Sequence, residues 1–479
     1  MRHTSMFAGA VLLASMAHGA TVEWISSTEN KPWNEMPNPV LEKVDESPAV
    51  LIKPSQTFQT IDGFGGSFNE LGYIALSKAK PKDAKEVLEA LFSDSGLDFT
   101  MARVPIGSSD FAFNENGDPS TPDDDDYSLA ETPEDYELKD FSIERDQKHL
   151  LPYIKAAMKV RPDLQCWGSP WSPPEWMKDN NFYAGGQLRW EPKVLQTYAN
   201  YFVKWIEAYR AEGVDVFAVL PQNEPNQSQV FPSCVWSGAQ LAEFIGEYLG
   251  PTLAASNSNV ELWFGINGDW QGGGDDFNNR IVTVMSDPDA NDYIDAIGFQ
   301  YDSKNQIADA YAAYPDKKLI QTESFCFNGD NSWFDATTRN DGMQGLSRNL
   351  QRNFENGANA FFAWNMILDD TGLGPWKWRQ NAPITVNSHT GKVTYNYEFY
   401  VYKHYSHFVK PGAKRVMTEG SWSDKIAFKN PDGSIVLVMS NNEDKYSKAS
   451  VQIGGLSGND AFNVKLMPLS INTFVISQN

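Results

Sequence analysis

The chain has 479 residues, 41% of them hydrophobic and 13% aromatic, with 15 Trp; this excludes a disordered chain and suffices for one large domain with a smaller companion. The formal net charge of −23 opposes a phosphate backbone or an anionic lipid surface. No run of Lys and Arg offers a local exception, so no nucleic-acid partner is expected.

The N-terminus, "MRHTSMFAGAVLLASMAHGATVEW", sets Arg2 before a short apolar stretch from Met6 to Met16 and small residues at Ala17, Gly19 and Ala20. That pattern predicts a secretory signal over residues 1–20, cleaved near residue 20, and a soluble protein that is secreted or periplasmic. No later segment approaches the roughly 20 apolar residues of a membrane helix, so no membrane span is expected. Residues 21–58, with "TVEWISS" and "AVLIKPSQTFQ", read as strands that complete a sandwich with the far end of the chain.

From residue 59 to 405 short apolar runs alternate with longer segments of helical period. The runs are "QTIDGFGG", "FTMARVPIG", "LQCWGSPW", "DVFAVLPQNEP", "VELWFGING", "IDAIGFQYD", "KLIQTES" and "NAFFAWNMI". Between them lie stretches such as "KDAKEVLEALFSD", "DQKHLLPYIKAAMKV", "LQTYANYFVKWIEAYRAEG" and "SGAQLAEFIGEYLG". Alternation of this kind predicts an α/β fold with a buried parallel sheet, and eight units predict closure into a (β/α)8 barrel. A doubly wound open sheet is the competing arrangement, but "DGFGGSF" lacks the third glycine of a dinucleotide loop, so Gly63, Gly65 and Gly66 read as a tight turn. The acidic run Asp123 to Asp126 lacks the ligand spacing and central glycine of an EF-hand and reads as a solvated loop.

Residues 406–479 change character: "KIAFKNPDGSIVLVMSN", "ASVQIGG" and "INTFVIS" alternate apolar and polar positions between Asp432-Gly433 and Gly454-Gly455. These are hairpins of a small antiparallel β-sandwich.

In a closed parallel barrel the site forms where the strands end, so the polar residues closing the apolar runs become the candidates. Glu224 closes the fourth run and Glu323 the seventh, 99 positions later, which places both carboxyl groups at one rim. Paired carboxylates facing one cavity are what glycoside hydrolysis requires, one protonated to assist the leaving oxygen and one free to attack the anomeric carbon. Asn223, beside Glu224, suits a bond to the neighbouring sugar hydroxyl. Arg103 and Asp110 after the second run, Trp171 after the third, Gln300 and Tyr301 after the sixth, and Trp364 and Asn365 after the eighth add charges, amides and flat rings. Sugars present apolar C–H faces and hydroxyls that match this mixture.

Other chemistries lack their signatures. His149, His389, His404 and His407 form no HExxH, and no GxSxG occurs, so neither a catalytic metal nor any cofactor is expected. Cys166, Cys234 and Cys326 are widely spaced and read as buried free thiols.

The stretches "IDGFGGSF", "MARVPIGSSDF", "GSPWSPPEWMK", "PQNEP", "FIGEYLGPTLA", "QTES" and "HFVKPGAKRV" together make the chain resemble glycoside hydrolase family 30, in particular its glucosylceramidase-like and β-1,6-glucanase-like branch. The resemblance implies a barrel fused to a β-sandwich from both chain ends, acting with retention on a β-linked oligosaccharide, polysaccharide or glycolipid. It implies Glu224 as acid/base, Glu323 as nucleophile, and Asn223, Asp110, Trp171, Trp364 and Asn381 (in "WRQN") as sugar-binding positions. Where the glucosylceramidase branch carries His-Trp-Tyr, this chain has Gln300, Tyr301 and Asp302, which predicts loss of the ring that contacts the nucleophile. The loop "NQSQVFPSCVW" after Glu224 reads as a specificity element, and its Asn226-Gln227-Ser228 sequon as unmodified, since a glycan would crowd the cleft. A β-xylosidase or endo-xylanase is the enzymatic alternative. A carbohydrate-binding protein without turnover is the alternative of another class.

Overall fold

The computed structural model describes residues 20–43, 47–114, 126–265, 277–324, 333, 342–456 and 460–477. Residues 1–19, where the sequence predicts a leader, the acidic residues 123–125 and Cys326 lie outside the described residues.

Three strands come first: β1 (Thr21–Thr28), β2 (Lys31–Glu35) and β3 (Val50–Thr60). Eight more follow: β4 (Gly63–Ser67), β5 (Met101–Pro105), β6 (Gln165–Ser169), β7 (Val216–Val219), β8 (Glu261–Gly265), β9 (Ile294–Gln300), β10 (Lys318–Ser324) and β11 (Ala360–Asn365). These eight close into a barrel in the order β10-β11-β4-β5-β6-β7-β8-β9, with every pairing parallel. Each apolar run of the sequence contains one barrel strand, and closure rules out the open-sheet alternative.

The glycines of "DGFGG" are strand residues of β4 and not a tight turn. A Cβ on Gly65 would lie 2.1 Å from the Met101 carbonyl oxygen, so glycine is what lets β4 and β5 approach. Gly168 serves the outer layer in the same way: the ring of Trp205, on the helix Pro192–Ala211, occupies the space a side chain would need, 2.2 Å from that Cβ position. The helices start where chemistry permits, with Pro at the first position of both Pro81–Phe92 and Pro192–Ala211. The first of them buries Val87, Leu88, Leu91 and Phe92 at helical spacing.

The barrel interior is filled by Met101, Trp167, Ala218, Leu220, Trp263, Ala296, Ile320, Ala360 and Phe362. Trp167 packs on Trp263 at 5.0 Å and on Phe362 at 5.4 Å between ring centroids, making a dry floor below the mouth. Directly after β11 a small sheet of β12 (Ile367–Asp369), β13 (Ile384–Val386) and β14 (Val393–Tyr395) holds the ends of the loop 370–383.

The remaining strands, β15 (Lys414–Glu419), β16 (Lys425–Lys429), β17 (Ile435–Asn441), β18 (Ser447–Ile453), β19 (Ala461–Leu466) and β20 (Ser470–Ser477), join β1 to β3 in the order β19-β18-β3-β15-β16-β17-β20-β1-β2. They enclose a separate core that includes Trp24, Ile52, Leu437, Val451, Phe462 and Phe474. β3 pairs antiparallel with β15 but parallel with β18, a departure from an all-antiparallel arrangement. No hairpin links β3 to β18, so nothing imposes an antiparallel direction there.

His404, on the helix Tyr397–Ser406, ties barrel to sandwich: its Nδ1 meets Thr473 Oγ1 and its Nε2 meets Ser27 Oγ, both at 2.8 Å. Burial pulls this imidazole down to about 3, so the neutral ring donates one bond and accepts the other. Cys166 and Cys234 are buried free thiols, pushed up to about 12 by burial.

Candidate active site

Strand alternation builds the site from the floor upward. Met101, Trp167 and Phe362 point into the barrel, so two residues on Arg103, Ser169 and Trp364 share that face one layer nearer the mouth. The same rule carries Ala296 through Gly298 to Gln300. β10 breaks the rule. Its pairing with β9 shifts between Gln321 and Glu323, two steps on β10 against one from Phe299 to Gln300. This bulge brings Glu323 to the inward face alongside Thr322, whose Cγ2 packs over Gly298 and whose Oγ1 donates to the Phe299 carbonyl at 2.9 Å.

β7 ends at Val219, and an irregular segment carries the chain to Glu224, whose φ of +47° lies in the left-handed region. Tyr301 has φ +40°. Both conformations are strained for residues with a Cβ, by roughly 1 to 2 kcal/mol each, and strain of this kind clusters where side chains must be aimed.

The cleft is narrow and is lined by Asp110, Trp171, Asn223, Glu224, Gln229, Phe231, Tyr301, Glu323, Trp378 and Gln380. Arg103 lies beneath and is 1% exposed. Its guanidinium donates to Glu323 Oε2 at 2.5 Å, to Asn223 Oδ1 at 2.7 Å and twice to Ser169 Oγ at 2.9 and 3.1 Å. The same group stacks over Trp171, 4.4 Å from its ring centroid. Gln300 Nε2 donates to Asn223 Oδ1 at 2.9 Å and to Glu323 Oε2 at 3.0 Å. The Tyr301 hydroxyl donates to Glu323 Oε1 at 2.7 Å.

The two glutamates therefore live in different surroundings. Glu323 is the anionic half of an ion pair and receives three donors. Glu224 receives one long bond, from Gln229 Nε2 at 3.4 Å. Burial first, then the negative charges of Glu323 and Asp110, hold the Glu224 carboxyl well above the usual carboxylate range. Asp110 is pushed up to about 8 by burial and then by Glu323.

Of the residues singled out from sequence, Asp110, Trp171, Asn223, Glu224, Tyr301 and Glu323 line the cleft, and Arg103 and Gln300 bond to those that do. Trp364 packs on Trp171 with centroids 5.0 Å apart. Asn381 is not brought to the cleft: it is buried and donates to Glu398 Oε1 at 3.0 Å. Its neighbour Gln380 takes the lining position and accepts from Asn365 Nδ2 at 2.7 Å. The expected loss of a ring against Glu323 is overturned by Tyr301, whose bent backbone delivers the hydroxyl there. Gln229, Phe231, Trp378 and Gln380 were not singled out from sequence. The first two sit in the loop after Glu224 that reads as a specificity element, and Trp378 meets Phe231 edge-on at 5.6 Å. Among the described residues no group of three or more His, Cys, Asp or Glu could hold a metal ion, and no helix is long and apolar enough to cross a membrane.

A parallel barrel whose mouth sets two buried glutamates among tryptophans and amides is the architecture of a glycosidase. Residues 61–409 match the Glycosyl hydrolase family 30 TIM-barrel domain and residues 412–474 match the Glycosyl hydrolase family 30 beta sandwich domain. The chain belongs to glycosyl hydrolase family 30. It is similar to the lysosomal acid glucosylceramidase of Mus musculus, 29% identical over 422 residues that cover 82% of this chain and 77% of the relative. Among solved structures, SrfJ from Salmonella typhimurium is 26% identical with a TM-score of 0.85, covering 96% of this chain and 100% of that one. The endo-β1,6-glucanase BT3312 is 25% identical with a TM-score of 0.81, covering 95% and 99%.

Proposed function

We propose that the protein is an exported retaining β-glycosidase acting on β-glucosides or β-1,6-glucan by double displacement. One observation carries the reading: the two cleft glutamates are held unlike each other, Glu224 in an environment that keeps its proton and Glu323 against the Arg103 guanidinium. In the first step Glu323 attacks the anomeric carbon while Glu224 passes its proton to the departing oxygen, breaking the glycosidic bond and leaving a glycosyl ester on Glu323. In the second, Glu224, now a carboxylate, takes a proton from water as that water displaces Glu323.

Asn223 Oδ1 is already occupied by Arg103 and Gln300, which leaves its amide hydrogens for the hydroxyl beside the reacting carbon. Asp110, Trp171, Tyr301, Trp378 and Gln380 bind the rest of the sugar, with Trp364 backing Trp171. Residues 59–405 form the catalytic unit, residues 21–58 and 406–479 the sandwich, and residues 1–20 the export leader. The similarity to a glucosylceramidase and to an endo-β1,6-glucanase supports a glucoside.

Products from glucosylceramide, β-1,6-glucan, laminarin and glucuronoxylan, with their anomeric form at first release, test the substrate and the stereochemistry together. A β-configured glucose product is expected. Turnover confined to xylan, or release of the α-anomer, overturns the corresponding half of the reading. On an aryl β-glucoside Glu224→Gln separates an enzyme from a sugar-binding protein: equal, near-zero rates in native and variant chains mean there is no turnover.

A further inference from the structure

The loop after Glu224 contains no helix or strand between residues 225 and 237, yet it brings Gln229 and Phe231 into the cleft. Side chains hold it. Ser233 Oγ accepts from the backbone amides of Gln229 at 3.0 Å and Gly185 at 2.9 Å, and the Ser233 amide donates to the Tyr183 carbonyl at 3.1 Å.

Next to these groups sits Lys178, which is 0% exposed. Its ammonium donates to the carbonyls of Tyr183 at 2.6 Å and Ser233 at 2.7 Å, and to Ser172 Oγ at 3.0 Å. All three acceptors are uncharged, although a buried cation is ordinarily matched to a carboxylate. Burial pulls this amine down to about 8. Lys178 does not line the cleft, but its three acceptors lie in three separate segments of the rim. Ser172 follows the lining residue Trp171, Tyr183 belongs to the hairpin-like turn that pairs Ala184 with Pro232, and Ser233 closes the turn carrying Gln229 and Phe231.

We infer that Lys178 is a positioning residue for the general acid: by clipping the three rim segments together it holds the Gln229 amide within hydrogen-bonding reach of Glu224. The inference rests on the reading of Glu224 as the acid/base. A donor on a carboxylate favours its charged form, so Gln229 pulls Glu224 down against burial. The other groups acting on Glu224 are Glu323, Asp110 and Arg103, while Cys234, Asp179, Asp126 and Glu175 act on Lys178.

The test is the alkaline limb of kcat/KM on an aryl β-glycoside, which reports the proton of Glu224 in the free enzyme. Gln229→Ala is expected to move that limb upward by about half a pH unit. Lys178→Met is expected to move it in the same direction and to add no further shift in the Gln229→Ala background. Ser233→Ala loosens the same turn with less disturbance and follows the same non-additive pattern, so it decides the matter if Lys178→Met does not fold. A limb unmoved by Gln229→Ala, or moved equally by Lys178→Met (or Ser233→Ala) in both backgrounds, overturns the clip. Glu224→Gln separates the two readings. If the alkaline limb survives in that variant, the acid/base assignment is what fails; if it vanishes while the other variants leave the limb in place, only the clip does.

Discussion

Arg103 and Glu323 meet at 2.5 Å in the barrel mouth with 1% and 7% of their side chains exposed. So dry a pair is held by geometry as much as by charge, because Ser169 and Asn223 occupy the rest of the guanidinium fork. Removing the cation alone leaves a buried carboxylate uncompensated. Arg103→Met is expected to destabilise the fold by about 3 to 5 kcal/mol and to abolish measurable turnover. Arg103→Lys keeps the charge but loses the fork, and is expected to fold while losing most of kcat. Denaturant unfolding and steady-state kinetics on both variants check this, and a fully active Arg103→Lys refutes it.

The Tyr301 hydroxyl gives a cleaner measure of how Glu323 is held. Tyr301→Phe removes one donor to Glu323 and leaves the ring in place. A loss of roughly 1 to 1.5 kcal/mol of transition-state stabilisation, about tenfold in kcat/KM, is expected with the melting temperature unchanged. An unaffected kcat/KM means the hydroxyl does not serve the reaction.

Trp378 and Phe231 meet edge-on and both line the cleft, so they offer flat apolar surface to a ligand. Trp378→Ala is therefore expected to raise KM by about tenfold while kcat changes little. A fall in kcat at constant KM contradicts a binding role.

Asp110 makes stability depend on pH. The folded protein keeps its proton up to about 8, whereas the ordinary value is 3.8. Between those values the unfolded chain has released a proton that the folded chain still holds, so the contribution is full below the lower value and is lost as pH rises through the upper one. The melting temperature is expected to fall from about pH 5 to about pH 8, with Asp110→Asn falling less steeply. Glu224, Asp146 and Glu398, also raised by burial, add to that slope, while His404, lowered by burial, opposes it below pH 6.5. Identical slopes for the native and Asp110→Asn proteins refute the assignment.

Strand-derived parts of the cleft were legible in the sequence because a barrel strand announces itself by apolar content and its last polar residue falls at the rim. Arg103 and Gln300 follow from that rule, while Glu323 and Trp364 each lie one residue before the strand's end, Glu323 aimed by a bulge in β10. Loop-derived parts were not. The segment 370–383 has no period from which to read which side chain turns inward, so Asn381 was singled out where Gln380 faces the cleft. Tyr301 escaped recognition as a partner of Glu323 for a related reason: its positive φ bends the chain away from strand alternation. Glycines misled in the opposite sense. In β4 they mark two backbones in close approach and not a turn, a distinction that depends on the neighbour Met101 and not on local sequence.

β1 is flanked by β2 on one side and by β20 on the other, with Thr21 to Ser27 matched to Ser477 to Ile471. On the ribosome this early segment has no partner for its outer edge until nearly everything downstream has been translated. The barrel, assembled from consecutive units, is free to condense first, while one edge of β1 waits unpaired through the whole of that synthesis. Birth of the protein is thus open to an intermediate with a finished barrel and an unfinished companion, vulnerable to edge-to-edge association until its two distant ends find each other.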